Sequence, residues 1–298
     1  MPSLPFEIVI ATVAAVVPLF LVEAAYRWQK IQAKGVYVLL GAALFVVWAV
    51  VVYGSFVEPR FLTVERQQLL FGEGQRHLRV ALVADTHLGR YRHDDWVRRL
   101  VGELNEIEPD VVLLLGDIVD SERGLKSLQP LDAVRSTYGT YAVLGNSDYH
   151  AGAVDVRHEI ERWRVEVLTN ESVALGDSGV RLVGIDDLWF GTPRYGRAFA
   201  EVEDDEMVIL AAHNPDAAGR GEYYGADLLV AGHTHGGQIR LPLIGPVPEL
   251  PTELGRQYDR GLFDYGQMKL YITSGAGESG PRARFLEPPE IAVLEIDY

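Results

Sequence analysis

Two long apolar runs open the chain before the pattern changes. Residues 4–22, LPFEIVIATVAAVVPLFLV, carry one charge, Glu7, and residues 36–57, VYVLLGAALFVVWAVVVYGSFV, carry none. A helix needs about 20 apolar residues to cross a hydrocarbon core. The second run meets that length. The first is marginal, with Glu7 near its start and Pro18 inside it. Between them, EAAYRWQKIQAKG (23–35) sets Arg27, Lys30 and Lys34 against Glu23, with Tyr26 and Trp28 as interface anchors. An excess of basic residues marks a short loop as cytoplasmic. Both chain ends, and everything after residue 57, are then expected outside. A secretory signal fits poorly, because no Lys or Arg precedes the first run and no small-residue cleavage site follows it. A hairpin that lies in the membrane without crossing is the other arrangement; a spanning helical hairpin is the expectation.

From residue 58 the pattern is that of a soluble domain. VEPRFLTVERQQLLF (57–71) reads as extended and GEGQ (72–75) as a turn. HLRVALVAD (77–85) predicts a strand. In DDWVRRLVGELNEIEPD (94–110), Trp96, Leu100, Val101, Leu104 and Ile107 share a helical face, and Asp94 or Asp95 can cap it. VVLLLGD (111–117) is an unbroken apolar strand, which completes a βαβ unit buried on both faces. TYAVLGNSD (140–148) repeats the strand-then-polar pattern. A helix is predicted around 153–164 from Val156, Ile160 and Trp163. RLVGIDD (181–187), EMVILAAH (206–213), ADLLVAGH (226–233), KLYITSGAG (269–277) and EIAVLEID (290–297) are further strands. The fold class is α/β. Residues 1–57 form a two-helix membrane anchor and 58–298 one catalytic-sized domain, with no internal repeat.

Composition narrows the chemistry. The chain has 298 residues, no cysteine and a net charge of −15. Without cysteine there is neither a disulfide framework nor a thiolate metal site. So acidic a chain repels phosphate backbones, which excludes nucleic acid as the expected partner. The acidity does suit the retention of cations.

The polar residues at the strand ends then matter. Five strands finish in metal-capable side chains: Asp85-Thr86-His87; Gly116-Asp117, with Asp120 three residues on; Gly145-Asn146-Ser147-Asp148; His213; and His233-Thr234-His235. Each alone is ordinary, since Gly-Asp and Gly-Asn are common turn dipeptides and a lone histidine at a strand end usually packs or caps. Ligands of open α/β sheets gather beyond the carboxyl ends of the strands. Five such endings at one sheet edge point to a shared site. Its mix of carboxylate, imidazole and amide oxygen suits Mn, Fe or Zn better than Ca or Mg alone.

In this order the blocks DTH (85–87), GDIVD (116–120), GNSD (145–148), AAHNPD (211–216) and GHTHGGQ (232–238) resemble the calcineurin-like metallophosphoesterase superfamily. The form GHTHGGQIRLP, with SGAGESGPRARFLEPPEI (274–291), is similar to its bacterial membrane-associated phosphodiesterase branch. The resemblance spans most of residues 77–298. It implies a four-layer α/β/β/α sandwich and two divalent metal ions (Mn2+, Fe2+ or Zn2+). It also implies the ligands: Asp85, His87 and His235 on one ion, Asn146, His213 and His233 on the other, and Asp117 bridging. Residues two apart in an extended chain project to one side, so one segment can supply both ions through His233 and His235. Gly236 and Gly237 keep Cβ atoms out of that crowded turn. Asp148 and Asp120 are expected to orient ligands through hydrogen bonds.

One position departs from the family. A histidine usually follows the Gly-Asn pair, placed to protonate the leaving group; here it is Ser147. His150 is the nearest replacement. The alternative is a substrate whose leaving group needs little protonation. UDP-2,3-diacylglucosamine pyrophosphohydrolases, enzymes of lipid A synthesis, also lack that histidine. Their substrate is made on the cytoplasmic side, against the topology above. Arg282 and Arg284, or Arg90 and Arg92, are candidate phosphate contacts, and Trp189 and Phe190 a candidate acyl groove. The catalytic expectation is therefore Asp148, His150 and Arg282. The expected protein is a metal-dependent phosphodiesterase anchored in the bacterial inner membrane, its domain extracytoplasmic. Its expected partners are the lipid bilayer and a phosphoester substrate, possibly lipid-linked. A non-catalytic scaffold of the same fold is the competing class.

Overall fold

The computed structural model describes residues 4–30 and 33–298. Residues 1–3 of the expected anchor segment, and 31–32 of the basic loop, lie outside the described residues. Helices α1 (Leu4–Tyr26) and α2 (Lys34–Val52) form a hairpin. The Trp48 indole Nε1 donates to the Ala14 carbonyl at 3.2 Å across it. Both helices are long and apolar enough to cross a membrane. Val17 is the one buried residue of α1, and α2 has none. Helices apolar on every side need an apolar surrounding, and here the protein does not supply it.

The chain then turns through Tyr53–Arg60 into β1 (Thr63–Leu70) and β2 (His77–Val83). Next come α3 (Asp94–Ile107), β3 (Val111–Leu115), the short α4 (Glu122–Leu125), β4 (Thr140–Val143), α5 (Asn146–Arg162) and β5 (Val165–Val167). A second series follows: β6 (Glu171–Ala174), β7 (Val180–Gly184), α6 (Tyr195–Ala198), β8 (Met207–Ala211), α7 (Ala218–Tyr223) and β9 (Leu228–Ala231). The chain ends with β10 (Arg240–Leu241), β11 (Gly245–Pro246), β12 (Gly261–Tyr265), β13 (Met268–Ile272) and β14 (Glu290–Asp297).

The long strands make two six-stranded sheets, in the orders β1-β14-β2-β3-β4-β5 and β12-β13-β9-β8-β7-β6. The first is parallel except at β14–β2, where Leu82 faces Ala292. The second is parallel in its centre and antiparallel at both edges. Alternation along each strand builds the layers. In β2, Ala81 and Val83 face α3 and α5, packing with Leu100, Leu104, Val156 and Ile160. Val80 and Leu82 point the other way, against Leu182, Ile209, Leu228 and Val230 of the second sheet. That sheet's outer face, with Val208, Leu210 and Leu229, is covered by Phe199, Ala217 and Ala218. The α/β/β/α sandwich follows from these three cores.

The helix expected around 153–164 begins earlier, at Asn146. The Asp148 carboxylate, at its third position, accepts the Gly145 N–H at 3.0 Å and caps the helix. The conformation breaks at Gly152, φ 108°, which hides the first turn from an apolar-periodicity reading. β5, β6, β12 and the β10–β11 pair were not expected from the pattern; they are short or sit at sheet edges.

Candidate metal centre

β2, β3 and β4 of the first sheet and β8 and β9 of the second finish at one edge of the sandwich. Asp85 and His87 follow β2, Asp117 follows β3, Asn146 follows β4, His213 follows β8, and His233 and His235 follow β9. The ligand atoms of Asp85, His87 and His235 all lie within 4.8 Å of one another, and so do those of Asp117, His213 and His233. The Asp117 carboxylate faces both groups. Its Oδ1 is 3.4 Å from His213 Nε2 and its Oδ2 is 3.6 Å from His87 Nε2. His235 Nε2 lies 3.5 Å from Asp85 Oδ1 and 3.2 Å from His87 Nε2. His233 Nδ1 is 2.9 Å from His213 Nε2.

The backbone is bent to achieve this. Asp85, His87, Asp117, His233 and His235 all have φ between 45° and 72°, a left-handed conformation that non-glycine residues adopt rarely and mostly at functional sites. The expectation of an extended His-Thr-His segment is thereby corrected. The chain coils tightly there, with His235 opening a turn of 3-10 helix. Each histidine still joins a different group. Gly236 and Gly237 are required: a Cβ would stand 2.5 Å from Glu287 Oε1 at the first and 2.4 Å from Pro246 Cβ at the second.

Outer hydrogen bonds fix which atoms face inward. His87 Nδ1 is 2.8 Å from Asp120 Oδ1, and His213 Nδ1 is 2.8 Å from the Leu115 carbonyl. Each contact leaves Nε2 toward the centre. Asp148 is fully buried. It accepts N–H bonds from Ile118 and Val119 at 2.9 Å and from Gly145 at 3.0 Å. It therefore positions the Asp117 and Asn146 turns through their backbone, where a bond to a ligand side chain was expected. Ser147, standing where the family has histidine, donates to Asp117 twice: N–H to Oδ1 at 2.7 Å and Oγ to Oδ2 at 2.8 Å. Neither that role of Ser147 nor the Leu115 carbonyl left a signal in the sequence.

The charge balance fits cations. Burial pushes the Asp85 carboxyl up to about 6, although His213 and His87 oppose it. Burial also opposes ionisation of Asp117, but His213, His87 and the Ser147 bonds outweigh it and hold its carboxyl below the ordinary range. Burial and the neighbouring His213 push His233 down to about 3. Burial and His87 push His235 well below the usual imidazole value. His233 and His235 are thus in the neutral form that binds metal, whereas burial is outweighed at His87 by Asp120 and Asp117, and at His213 by Asp117 and Asp85, so that both are raised and would release a proton on binding a cation. Asp85 Oδ1 and Asn146 Oδ1 are buried without a hydrogen-bond partner. Such orphaned acceptors are costly unless something accepts their lone pairs. A pair of divalent cations would do so, and the six side chains of the two groups fit them.

The remaining candidates divide. His150 is exposed one turn into α5, with Nδ1 2.7 Å from the Asn146 carbonyl and its ring edge-on to Phe190 at 4.5 Å. Trp189 stands edge-on to His233 at 4.4 Å. Arg282 lies 5.5 Å from the Phe56 ring and 5.6 Å from Tyr91, its Nε buried without a partner. Arg284 is not a phosphate contact. It is fully buried, and its guanidinium donates to the carbonyls of Ser274, Gly275, Gly277, Glu287 and Pro288. Arg92 is likewise committed: it pairs with Glu278 at 2.9 Å, donates to the Pro59 carbonyl and stacks on Trp96. Arg90 is exposed.

The chain is similar in sequence to known proteins. The calcineurin-like phosphoesterase family model matches residues 78–237. A metallophosphoesterase of Helicobacter pylori is 34% identical over 230 residues, covering 74% of this chain and 60% of that protein. Phosphodiesterase YaeI of Escherichia coli is 30% identical over 253 residues, covering 82% and 92%. A transmembrane protein with metallophosphoesterase domain from Danio rerio is 29% identical over 284 residues, covering 88% and 64%. The chain spans 60% of the length of the Helicobacter relative and of a similar Campylobacter jejuni protein. With the family model covering more than half of its residues, and its motifs folded into one centre, the chain belongs to the calcineurin-like phosphoesterase family.

Proposed function

We propose that the protein is a membrane-anchored phosphodiesterase that uses two divalent metal ions to hydrolyse a lipid-linked phosphoester. In this reading residues 1–57 are the anchor and 58–298 the catalytic domain. The observation that carries it is the pair of ligand groups facing the two oxygens of one carboxylate, Asp117.

Asp85, His87 and His235 would hold one ion and Asn146, His213 and His233 the other. Bound there, two cations supply phosphoryl-oxygen polarisation and acidification of water. The chain's own residues do the rest. Asp120 and the Leu115 carbonyl hold His87 and His213 in the tautomer that offers Nε2. Asp148 clamps the turns that carry Asp117 and Asn146. Trp189 and Phe190 form a half-exposed apolar wall beside His233 and His150, suited to the hydrophobic part of a substrate. Arg282 is the proposed phosphate contact and His150 the proposed proton donor.

A second reading has a specific observation behind it. Ser147 is bound to Asp117 and is far too weak an acid to protonate a leaving group at neutral pH. That favours a leaving group which is itself a stable anion, as in a pyrophosphate bond of the UDP-diacylglucosamine type. The test uses detergent-solubilised protein with Mn2+ on bis(p-nitrophenyl) phosphate, on labelled phospholipids and on a UDP-diacylglucosamine substrate. Hydrolysis lost on Asn146→Ala is expected. Absence of turnover on every substrate and metal would leave a scaffold of the same fold. Protease protection of the reconstituted protein reads the side of the membrane; the basic loop favours an extracytoplasmic domain.

A further inference from the structure

The two short strands β10 and β11 form a small hairpin immediately after the His233–His235 turn. Its tip is Leu241-Pro242-Leu243-Ile244. Leu243 is fully exposed and Ile244 is 63% exposed, with Leu241, Val247 and Leu286 also exposed beside them. In a chain with 42 acidic residues, positions 238–248, QIRLPLIGPVP, contain none, and Arg240 is their one charge. Leu243 holds this place with φ 66°, a backbone conformation leucine rarely adopts. Contiguous exposed apolar side chains of this kind mark a contact surface.

What covers it follows from what adjoins it. Strand residues Ile239 and Arg240 pair with Phe285: the Arg240 N–H donates to the Phe285 carbonyl and the Phe285 N–H to the Gln238 carbonyl, each at 2.9 Å. The Phe285 ring stands edge-on to Tyr53, 6.2 Å away, at the end of α2. The Arg284 N–H donates to the Gly54 carbonyl at 2.8 Å. The apolar tip is therefore continuous with the root of the helical hairpin. The same segment is tied to the metal centre. Arg240 donates to the Gly236 carbonyl at 2.9 Å, and Pro246 packs where a Gly237 Cβ would lie. Exposed Arg256 donates to the Pro246 carbonyl, placing a cation beside the tip, as interfacial segments do on anionic lipid surfaces.

We propose that the β10–β11 tip inserts into the bilayer surface beside α1 and α2, as a third membrane contact that turns the mouth of the metal centre toward the lipid headgroups. The substrate class this selects is a phosphoester held at the membrane surface. The proposal rests on the reading of α1 and α2 as membrane-spanning.

The absence of cysteine makes the test clean. Single cysteines are introduced into the full chain at Leu243→Cys, at Val47→Cys within α2, and at Asp204→Cys on the exposed loop before β8. Each is labelled with an environment-sensitive fluorophore and reconstituted into phosphatidylglycerol-containing vesicles. Nitroxide-bearing lipid is expected to quench Val47→Cys and Leu243→Cys but not Asp204→Cys. Quenching at Val47 without quenching at Leu243 would overturn the proposal and leave the anchor intact. No quenching at Val47 would instead remove the anchor reading on which it rests. A blue shift at Leu243 without lipid quenching would assign the tip to protein, such as a second copy of the chain, and would also overturn it. As a functional arm, Leu243→Ser with Ile244→Ser is expected to lower hydrolysis of a vesicle-borne phospholipid about tenfold through misorientation. Turnover of soluble bis(p-nitrophenyl) phosphate should stay unchanged. An equal fall on both substrates would contradict an orienting role.

Discussion

Asp120 shows how far a single side chain reaches into the centre without touching it. Its Oδ1 lies 2.8 Å from the outer nitrogen of His87. Burial disfavours a charged His87, but the Asp120 bond and the Asp117 charge outweigh it and raise the imidazole to about 9. A carboxylate in that place fixes ring orientation and makes the inner nitrogen a stronger donor. Loss of such a partner typically costs about 10–100-fold in metal affinity. Asp120→Ala is therefore expected to raise the Mn2+ concentration for half-maximal activity by about that factor, with turnover recovering at saturating metal. An activity titration against Mn2+ decides it. An unchanged half-saturation point would reduce Asp120 to ordinary loop polarity. Ser147 is the complementary case. Its two bonds stabilise the charge of Asp117, so its substitution for histidine has a structural role of its own.

At the scale of elements, the loop from Ser274 to Pro289 joins three parts of the protein. It follows β13, passes the metal centre, where a Cβ on Gly275 would stand 2.8 Å from Asp85 Cβ, and touches the end of α2. Arg284 braces it from inside with bonds to five carbonyls. Lysine keeps the charge but is a point donor without the planar fork. Arg284→Lys should leave several buried carbonyls unpaired, at about 1–3 kcal/mol each. A fall in Tm of roughly 10 °C in detergent is the expected result, read by thermal denaturation. A shift under 2 °C, below the ~2–4 °C that 1 kcal/mol moves a domain of this class, would show that the loop is held by other contacts. This loop also marks where sequence reading stops. The apolar strands, the α3 face and the five polar strand endings are all legible, because burial and strand termination leave local patterns. Arg284 reads in sequence like Arg282, and a phosphate contact was expected of either. What separates them is five carbonyls delivered by the fold. The same holds for the left-handed turns at His233 and His235. No local rule places two histidines there, and only crowding between two sheets requires it. The early start of α5 is readable in principle: a glycine followed three residues later by Asp148 is a cap, but Gly-Asn is equally a common turn dipeptide.

For the molecule as a whole, the centre lies where two sheets end together. Asp85, His87, Asp117 and Asn146 come from the first sheet, and His213, His233 and His235 from the second. Each group of ligands mixes both sheets: His235 joins Asp85 and His87, and Asp117 joins His213 and His233. Cations bound there would hold the two halves of the sandwich together and relieve the mutual repulsion of Asp85 and Asp117. A ligand present at about 1,000 times its Kd stabilises the native state by about 4 kcal/mol, and two sites act together. Stripping the metal with a chelator is thus expected to abolish phosphodiester hydrolysis and to lower Tm by at least ~10 °C. Both should return on adding Mn2+. The shift should shrink in Asn146→Ala, which removes the ligand proposed to complete the second group, and more in Asp117→Ala, which removes the residue facing both. Differential scanning calorimetry with paired activity assays measures this on one sample. If chelation removed activity with no change in Tm, the cations would be catalytic passengers on a preformed edge. The orphaned carboxylate and amide oxygens of Asp85 and Asn146 argue against that outcome, because buried acceptors with unpaired lone pairs destabilise an edge that nothing fills.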